Sequence, residues 1–449
     1  MRRLRLRAWK RVQAGGFGGA NTRLALAWLL VGIGLATYVL TIGLDAWKHN
    51  ALRQKPLVSI AFSGDTDTPE QDVEKIRDSL AVAISQFQTV RLASTVDHTV
   101  TASLGEWTAP KLVSALRGQR VADNYRIVLK YEKKGNQISV WWQVTDASTG
   151  EILLSGIEDA SLPDAVSLPP SQSLANRLAR TLVGIRGVIN TIETLHEFEA
   201  PSLGNGCILR AIAAGDRGDE AGIVDARSCL EQTLAITPND AGAKAELAIV
   251  LLAQDPVEAS TEVSDRAYEL AADAVKLAPF SDRSKYALMI SQFRSGQVEA
   301  AIETGYAAMA LNPNNSDIAA RLGLYLFTAG RWEDGAGLAV RSAQMDRNIA
   351  SDSLLTRALN AYRLGRFEDA LTLSQQLKMS GDYVVHAVLA AAAGQLGRTD
   401  DARLALASLG AGRADFDVAF RKSMRARYFT PELTDLLEIG VLKAAPQKS

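Results

Sequence analysis

The chain has 449 residues, 47% of them hydrophobic and 22% charged, with 49 Lys and Arg against 50 Asp and Glu. That length calls for more than one folded unit, and the composition excludes extended disorder. The charge is uneven: Arg2, Arg3, Arg5, Arg7, Lys10, Arg11 and Arg23 all precede the first acid, Asp45, so the remainder is acidic and offers no basic face for nucleic acid.

Residues 1–23 form a basic tail whose Gly15-Gly16-Phe17-Gly18-Gly19 stretch lacks the Lys-Ser/Thr pair of a phosphate loop. Residues 24–44 carry no charge, and a helix of that length spans about 31 Å, a bilayer core. A cleaved signal peptide fits less well, because its apolar region would be shorter and Leu44-Asp45-Ala46-Trp47 is not a small-x-small cleavage site. The positive flank predicts a single span of a bacterial inner membrane, N-terminus cytoplasmic and bulk periplasmic, with Trp28 and Trp47 near the two interfaces. Gly32 and Ala36, four apart, leave a homodimer through the span open.

After a linker at 45–56, residues 57–200 read as a small α/β domain. A buried strand at 57–62 precedes a helix that starts at Thr68-Pro69-Glu70-Gln71, a cap, a proline at the first helical position and a capping-box glutamine. Val73, Ile76, Leu80, Ile84 and Phe87 keep helical spacing. Short strands follow at 90–93, 125–131, 137–144 and 151–155. The last three are joined by links short enough to imply antiparallel neighbours. One helix over 171–195 closes the unit.

Residues 204–409 carry an internal period. Gly296, Gly330, Gly365 and Gly397 recur at intervals of 32 to 35, each followed five residues later by Ala301, Gly335, Ala370 or Ala402. Glycine there ends one helix and the small residue lets the next pack closely. Val298, Trp332 and Phe367 lie two residues after three of these glycines, and Pro238, Pro279 and Pro313 end second helices. A plain bundle has no reason to repeat this order, whereas tetratricopeptide repeats do. Six hairpins are expected, the one over 241–279 stretched around 254–264, followed by a helical cap at 410–449. The fold class is therefore mainly α: one N-terminal transmembrane helix, a small α/β domain and a right-handed α-solenoid.

The order of elements in the first soluble unit, and above all Asp146-Ala147-Ser148-Thr149-Gly150-Glu151 before a strand, resembles the TolB-like amino-terminal domain. That domain stands ahead of helical repeats in bacterial proteins labelled adenylate cyclase or CadC-like regulators. A tight turn between two strands accounts for the same residues. Cys207-Ile208-Leu209-Arg210-Ala211, Asp225 to Glu231, Leu322-Gly323, Gly330 to Gly335, Gly394 to Arg398, and Phe429-Thr430-Pro431-Glu432 are similar to the same proteins. Those proteins usually carry a DNA-binding or cyclase domain ahead of the span. Only residues 1–23 stand there, so neither activity is carried over.

Cys207 and Cys229 are the only cysteines, ten residues before and twelve after the first hairpin turn, where they can face each other. A disulfide suits an oxidising periplasm; two buried thiols are the other reading. No histidine accompanies them, so no metal site is expected. His49, His98, His196 and His386 are scattered, and no Gly-x-Ser-x-Gly elbow or phosphate loop occurs, so the chain is read as no enzyme and without cofactor.

Three residues before successive glycines lie Phe293, Phe327 and Tyr362, flanked by Arg294 and Arg363, with Tyr286 two turns ahead. Such a ladder on the first helices would clasp a partner protein of the envelope or membrane; aromatic packing between repeats is the alternative. The expected function is a membrane-anchored periplasmic scaffold or adaptor, with a role in envelope or polysaccharide assembly. A sensory component signalling to a separate cytoplasmic partner is the second reading.

Overall fold

The computed structural model describes residues 52–63, 70–93, 124–134, 137–160, 170–254, 261–346, 350–377 and 382–445. The expected span at 24–44 and the Thr68-Pro69 helix start lie outside them. Among the described residues no helix is long and apolar enough to cross a membrane.

A five-stranded sheet has the order β3-β2-β4-β5-β6, with β2 at Leu57–Ser63, β3 at Arg91–Leu92, β4 at Asn124–Lys134, β5 at Gln137–Asp146 and β6 at Ile152–Ala160. β2 runs parallel to β3 and β4, while β4, β5 and β6 form an antiparallel meander, as their short links require. Alternate residues of the strands, Val58, Ile60, Ile127, Leu129, Val140, Trp142 and Val144, face one core. Helices α1 (Glu70–Phe87) and α2 (Pro170–Val183) supply Ile76, Leu80, Ile84, Leu174 and Leu178 from the other side.

Two expectations here are corrected. β6 continues past Ser155 to Ala160, with Gly156 lying under the Trp142 indole, where a Cβ would come within 2.7 Å of Cε2. The single helix over 171–195 is two, α2 and α3 (Val188–Glu199), broken at Gly184 and Gly187. There the chain turns so tightly that a Cβ on Gly187 would meet Gly184 N at 2.7 Å, and Asn190 Nδ2 donates to Gly184 O across the break at 2.8 Å. The Asp146 to Gly150 motif is a turn: Asp146 Oδ1 accepts from Ser148 N at 2.7 Å and Thr149 N at 2.9 Å, and Gly150 has φ +74°. Those hydrogen bonds, the Ser148 hydroxyl first, hold the Asp146 carboxyl below its ordinary pKa.

Six helical hairpins follow: α4 and α5 (Asn205–Arg217, Glu220–Ile236), α6 and α7 (Ala241–Gln254, Thr261–Leu277), α8 and α9 (Asp282–Arg294, Val298–Leu311), α10 and α11 (Ser316–Thr328, Trp332–Met345), α12 and α13 (Ser351–Arg363, Phe367–Gln376), and α14 and α15 (Tyr383–Gln395, Thr399–Leu409). Gly296, Gly330, Gly365 and Gly397 all have positive φ, which an L side chain resists. In each, the amide after the glycine reaches back to close the helix, as from Arg331 N to Leu326 O at 2.8 Å. The small residues sit at close crossings: a Cβ on Gly335 would lie 2.5 Å from Gly323 O. Helices α5, α7 and α9 each stop two residues before Pro238, Pro279 and Pro313, where the residue ahead of proline leaves the helical region.

Two networks, the first of them buried, tie the α/β domain to the repeats. Strand β1 (Leu52–Arg53) pairs in parallel with β7 (Leu203–Gly204), carrying the Arg53 guanidinium to 3.0 Å from Glu193 and 3.1 Å from Glu197. Both carboxylates are sealed from solvent, and Tyr125 Oη and Ser202 Oγ complete their hydrogen bonding at 2.6 Å each. At the links between hairpins, Gln88 donates to Phe280 O at 2.7 Å, and Arg180 donates to Met345 O and Asn314 Oδ1, both at 3.1 Å. Burial beside Arg177 pushes the Arg180 pKa down to about 10.

The chain closes with α16 (Phe416–Arg425) and α17 (Pro431–Ala444), the latter capped by the Thr430 hydroxyl with Pro431 in its first turn. Phe416, Phe420, Met424, Leu433, Leu437 and Val441 are buried in the same core as α12 and α14.

Candidate functional site

The aromatic ladder is corrected from an open clasp to an occupied one. Phe293, Phe327 and Tyr362 are buried, and what lies on them is the chain's own closing segment. Phe293 stacks on Tyr325 with centroids 3.6 Å apart and receives the edge of Tyr428 at 5.0 Å. Thr430 N donates to Thr328 O at 3.2 Å, and Tyr362 Oη donates to Leu436 O at 2.8 Å on α17. Gly440 and Gly394 let α17 touch α14 backbone to backbone: a Cβ on Gly440 would meet Ala391 Cβ at 2.8 Å. The flanking cations are engaged as well. Arg294 donates to Leu252 O at 3.3 Å. Arg363 pairs with Glu333 at 2.7 Å and lies 4.8 Å over the Trp332 ring. These five residues are engaged within the fold.

Tyr286 is different. It sits at the opposite end of α8, in a cleft of about 530 Å³ that crosses the first helices α4, α6, α8, α10 and α12. Its lining includes the aliphatic Ile212, Ile249 and Ala253 and three arginines, each paired with a carboxylate. Arg283 meets Glu246 Oε2 through Nε at 3.0 Å and Nη2 at 2.6 Å. Arg321 is paired with Asp352. Arg186, from the loop between α2 and α3, grips Asp216 through Nε at 2.7 Å and Nη2 at 2.6 Å and reaches Asp317 through Nη1 at 2.7 Å. The α/β domain thus forms part of the cleft, joining the end of α4 to the start of α10.

Burial works against each of these cations, but the facing carboxylates outweigh it: Asp317 and Asp216 hold Arg186 above the ordinary guanidinium pKa, and Glu246 and Asp352 do the same for Arg283 and Arg321. Burial also raises the Tyr286 phenol, so it remains a hydrogen-bond donor at neutral pH. Beneath the cleft the Asp282 carboxyl is raised by burial while accepting from Asn312 Nδ2 at 2.8 Å and Asn315 Nδ2 at 3.0 Å.

Apart from Tyr286, the sequence reading missed these residues. A signal was present: Arg283, Asp317 and Asp352 are each the second residue of a first helix, 34 and 35 apart. Counting forward from helix starts would have exposed the column; counting back from the glycines found only packing positions.

Cys207 and Cys229 are joined by a disulfide across α4 and α5, Cα atoms 5.6 Å apart. Among the described residues no group of three or more His, Cys, Asp and Glu is placed to hold a metal ion.

No family model matches the sequence, and no curated protein matches it. Similar solved structures are helical-repeat proteins. A chain of the Cut9–Hcn1 hetero-tetramer of APC/C aligns at 13% identity over 62% of this chain and 50% of its own, with a TM-score of 0.37. This chain therefore spans about half the length of that one. A tetratricopeptide repeat protein from Parabacteroides merdae aligns at 13% identity, covering 52% of this chain and 97% of its own, TM-score 0.32. PilF of Pseudomonas aeruginosa gives 18% identity, 49% and 96% coverage, TM-score 0.35. At these values the likeness is to the general run of helical hairpins, and the site rests on this chain's own residues.

Proposed function

We propose that the protein is a membrane-anchored scaffold that holds a partner protein in the cleft across its first five hairpins. The observation that carries this reading is the division of the first-helix surface. The C-terminal ends of α8, α10 and α12 are covered by the closing segment and α17, whereas a strip from α4 and α6 across the N-terminal turns of α8, α10 and α12 stays open and lined with polar groups that reach solvent. The uncharged sequence at 24–44 behind a basic tail supports an inner-membrane anchor, and the disulfide suits an oxidising, periplasmic setting. The TolB-like resemblance of residues 57–200 is in keeping with an envelope role.

The test is co-purification from native membranes of full-length protein and an Ala253→Trp variant. Ala253 is exposed on the cleft wall, so an indole there obstructs the groove without entering the core. A stoichiometric protein partner retained by the wild type and lost from the variant is expected; equal recovery from both contradicts the reading.

One observation favours a second reading, in which occupancy is signalled to a cytoplasmic partner. The segment that follows residues 1–51 enters directly through β1 into the sealed Arg53, Glu193 and Glu197 joint between the α/β domain and the first hairpin. Strain in the repeats would be felt there. Deleting residues 2–20 with no functional consequence would argue against this coupling.

A further inference from the structure

Within the repeat frame set by Gly296, Gly330, Gly365 and Gly397, one hairpin departs from its neighbours at a packing position. Eight residues before these glycines stand Leu288, Leu322 and Leu389, but in α12 the residue is Arg357. The leucines belong to the repeat core: Leu322 is sealed, Leu389 is buried and Leu288 packs half-buried against it. Arg357 is half-buried at the same place, yet among the described residues it makes no hydrogen bond, ion pair or ring contact, and none of its nitrogens is sealed from solvent. A guanidinium that gives up hydration with no partner in return is unfavourable where leucine serves the fold.

Arg357 lines a cavity of about 410 Å³ between α11, α12 and α13, a volume that admits a small organic molecule. Its other polar groups are also largely uncommitted. Asn360 Oδ1 accepts from Arg363 Nε at 3.3 Å and Nη2 at 3.1 Å, which leaves Nδ2 as a donor. The Thr372 hydroxyl is exposed and has no partner among the described residues. Arg366 stands 3.8 Å from Asp369, both well exposed. Ala336, Val340, Ala361 and Leu373 complete the lining with apolar surface. Two arginines face one carboxylate here, a surplus of one positive charge, whereas the cleft over the first helices holds four carboxylates against three arginines; the two share no residue. The free groups are donors, so they call for acceptor oxygens, and a guanidinium takes a carboxylate through two parallel N–H···O bonds. A single negative charge answers the surplus, while a dianion would meet Asp369 with no further cation to offset it.

We infer that the cavity between α11, α12 and α13 binds a small organic monocarboxylate, its carboxylate held by Arg357 with Asn360 and Thr372, and its apolar body against Val340 and Leu373. The site is independent of the cleft and of the partner reading.

The probes are soluble small carboxylic acids, each accompanied by its primary amide and by the matching phosphate monoester, screened by ligand-observed NMR on purified full-length protein. Acids are expected to bind, and the best of them should lose at least tenfold in affinity as the amide, as the phosphate monoester and on Arg357→Leu protein. Leucine is what α8, α10 and α14 carry at this position, so that variant should fold with an unchanged or higher urea midpoint. Thr372→Trp obstructs the cavity from an exposed position of its lining and should cost at least tenfold by a second route. Equal binding of acids to wild type and Arg357→Leu, amides or phosphate monoesters within threefold of their acids, or no acid bound at all would overturn the inference. A lowered midpoint for Arg357→Leu beside full acid binding by Thr372→Trp would do the same, because the arginine would then serve the fold.

Discussion

Replacing Gly440 by Ala tests whether α17 belongs to the repeat core. In a helix interior that change ordinarily stabilises by about 1 kcal/mol, through lower backbone entropy in the unfolded chain. At Gly440 the new Cβ would meet Ala391 Cβ at 2.8 Å and Ala391 Cα at 2.9 Å, and crowd the Tyr362 hydroxyl more closely still. Overpacking of that kind costs roughly 1–3 kcal/mol. Displacing Tyr362 Oη from Leu436 O loses a hydrogen bond worth about 1 kcal/mol more. The sum is a net destabilisation of about 1–3 kcal/mol, opposite in sign to the helix-propensity effect. Gly337, in α11, is the control: its Cβ meets nothing within 4 Å, so Gly337→Ala should stabilise by roughly 0.5–1 kcal/mol. Urea unfolding of the two purified variants against wild type reads both signs. If Gly440→Ala stabilises as much as Gly337→Ala, α17 does not pack on α14 as described and the occupied-ladder account is wrong.

Breaking the Cys207–Cys229 disulfide, which closes a separation of 22 residues, should cost about 3 kcal/mol, read as a lower urea midpoint for reduced than for oxidised protein. Arg53→Met removes the guanidinium shared by two carboxylates that have no solvent access, Glu193 and Glu197, and should cost about 3–5 kcal/mol, Arg210 staying 3.8 Å from Glu197; adding Glu197→Gln should recover part of it in the same assay. Because burial raises the Asp282 carboxyl, the native state holds its proton more tightly than the unfolded chain does. That contribution is fully present below the unfolded value near pH 4 and is lost as pH rises through the folded one. Wild type should therefore gain stability relative to Asp282→Asn as pH is lowered from about 7 to about 4, and a constant or reversed gap would contradict the assignment.

The features legible in the sequence are those that local chemistry enforces. Gly296, Gly330, Gly365 and Gly397 must turn the chain with positive φ, so their spacing reports the hairpins directly. Gly156 and Gly184 carry a weaker signal: a glycine says that the backbone is approached closely or bent there, not by what. Gly156 lies under Trp142 within a continuing strand, and Gly184 breaks a helix. The ladder was legible as aromatic residues at a repeat position, but its occupant was not, because no local signal says which segment will lie on a given groove. The stripe of Leu433, Leu437 and Val441 on α17 shows that this helix needs a surface, without saying whose. The cleft charges follow the repeat period yet resemble ordinary solvated helix starts, and only the packed hairpins bring Arg186 onto Asp216 and Asp317 from far along the chain.

The central claim is that the open cleft, and not the occupied ladder or the outer helices, meets the partner. A photo-crosslinking amino acid placed at Ala253 in the cleft, or at Tyr306 on the outer helix α9, examines it in the protein expressed in intact cells. The account predicts a discrete adduct with one other polypeptide from position 253, suppressed by Gly215→Trp in the same cleft, and none from position 306. No adduct from 253, or equal adducts from both positions, would contradict it.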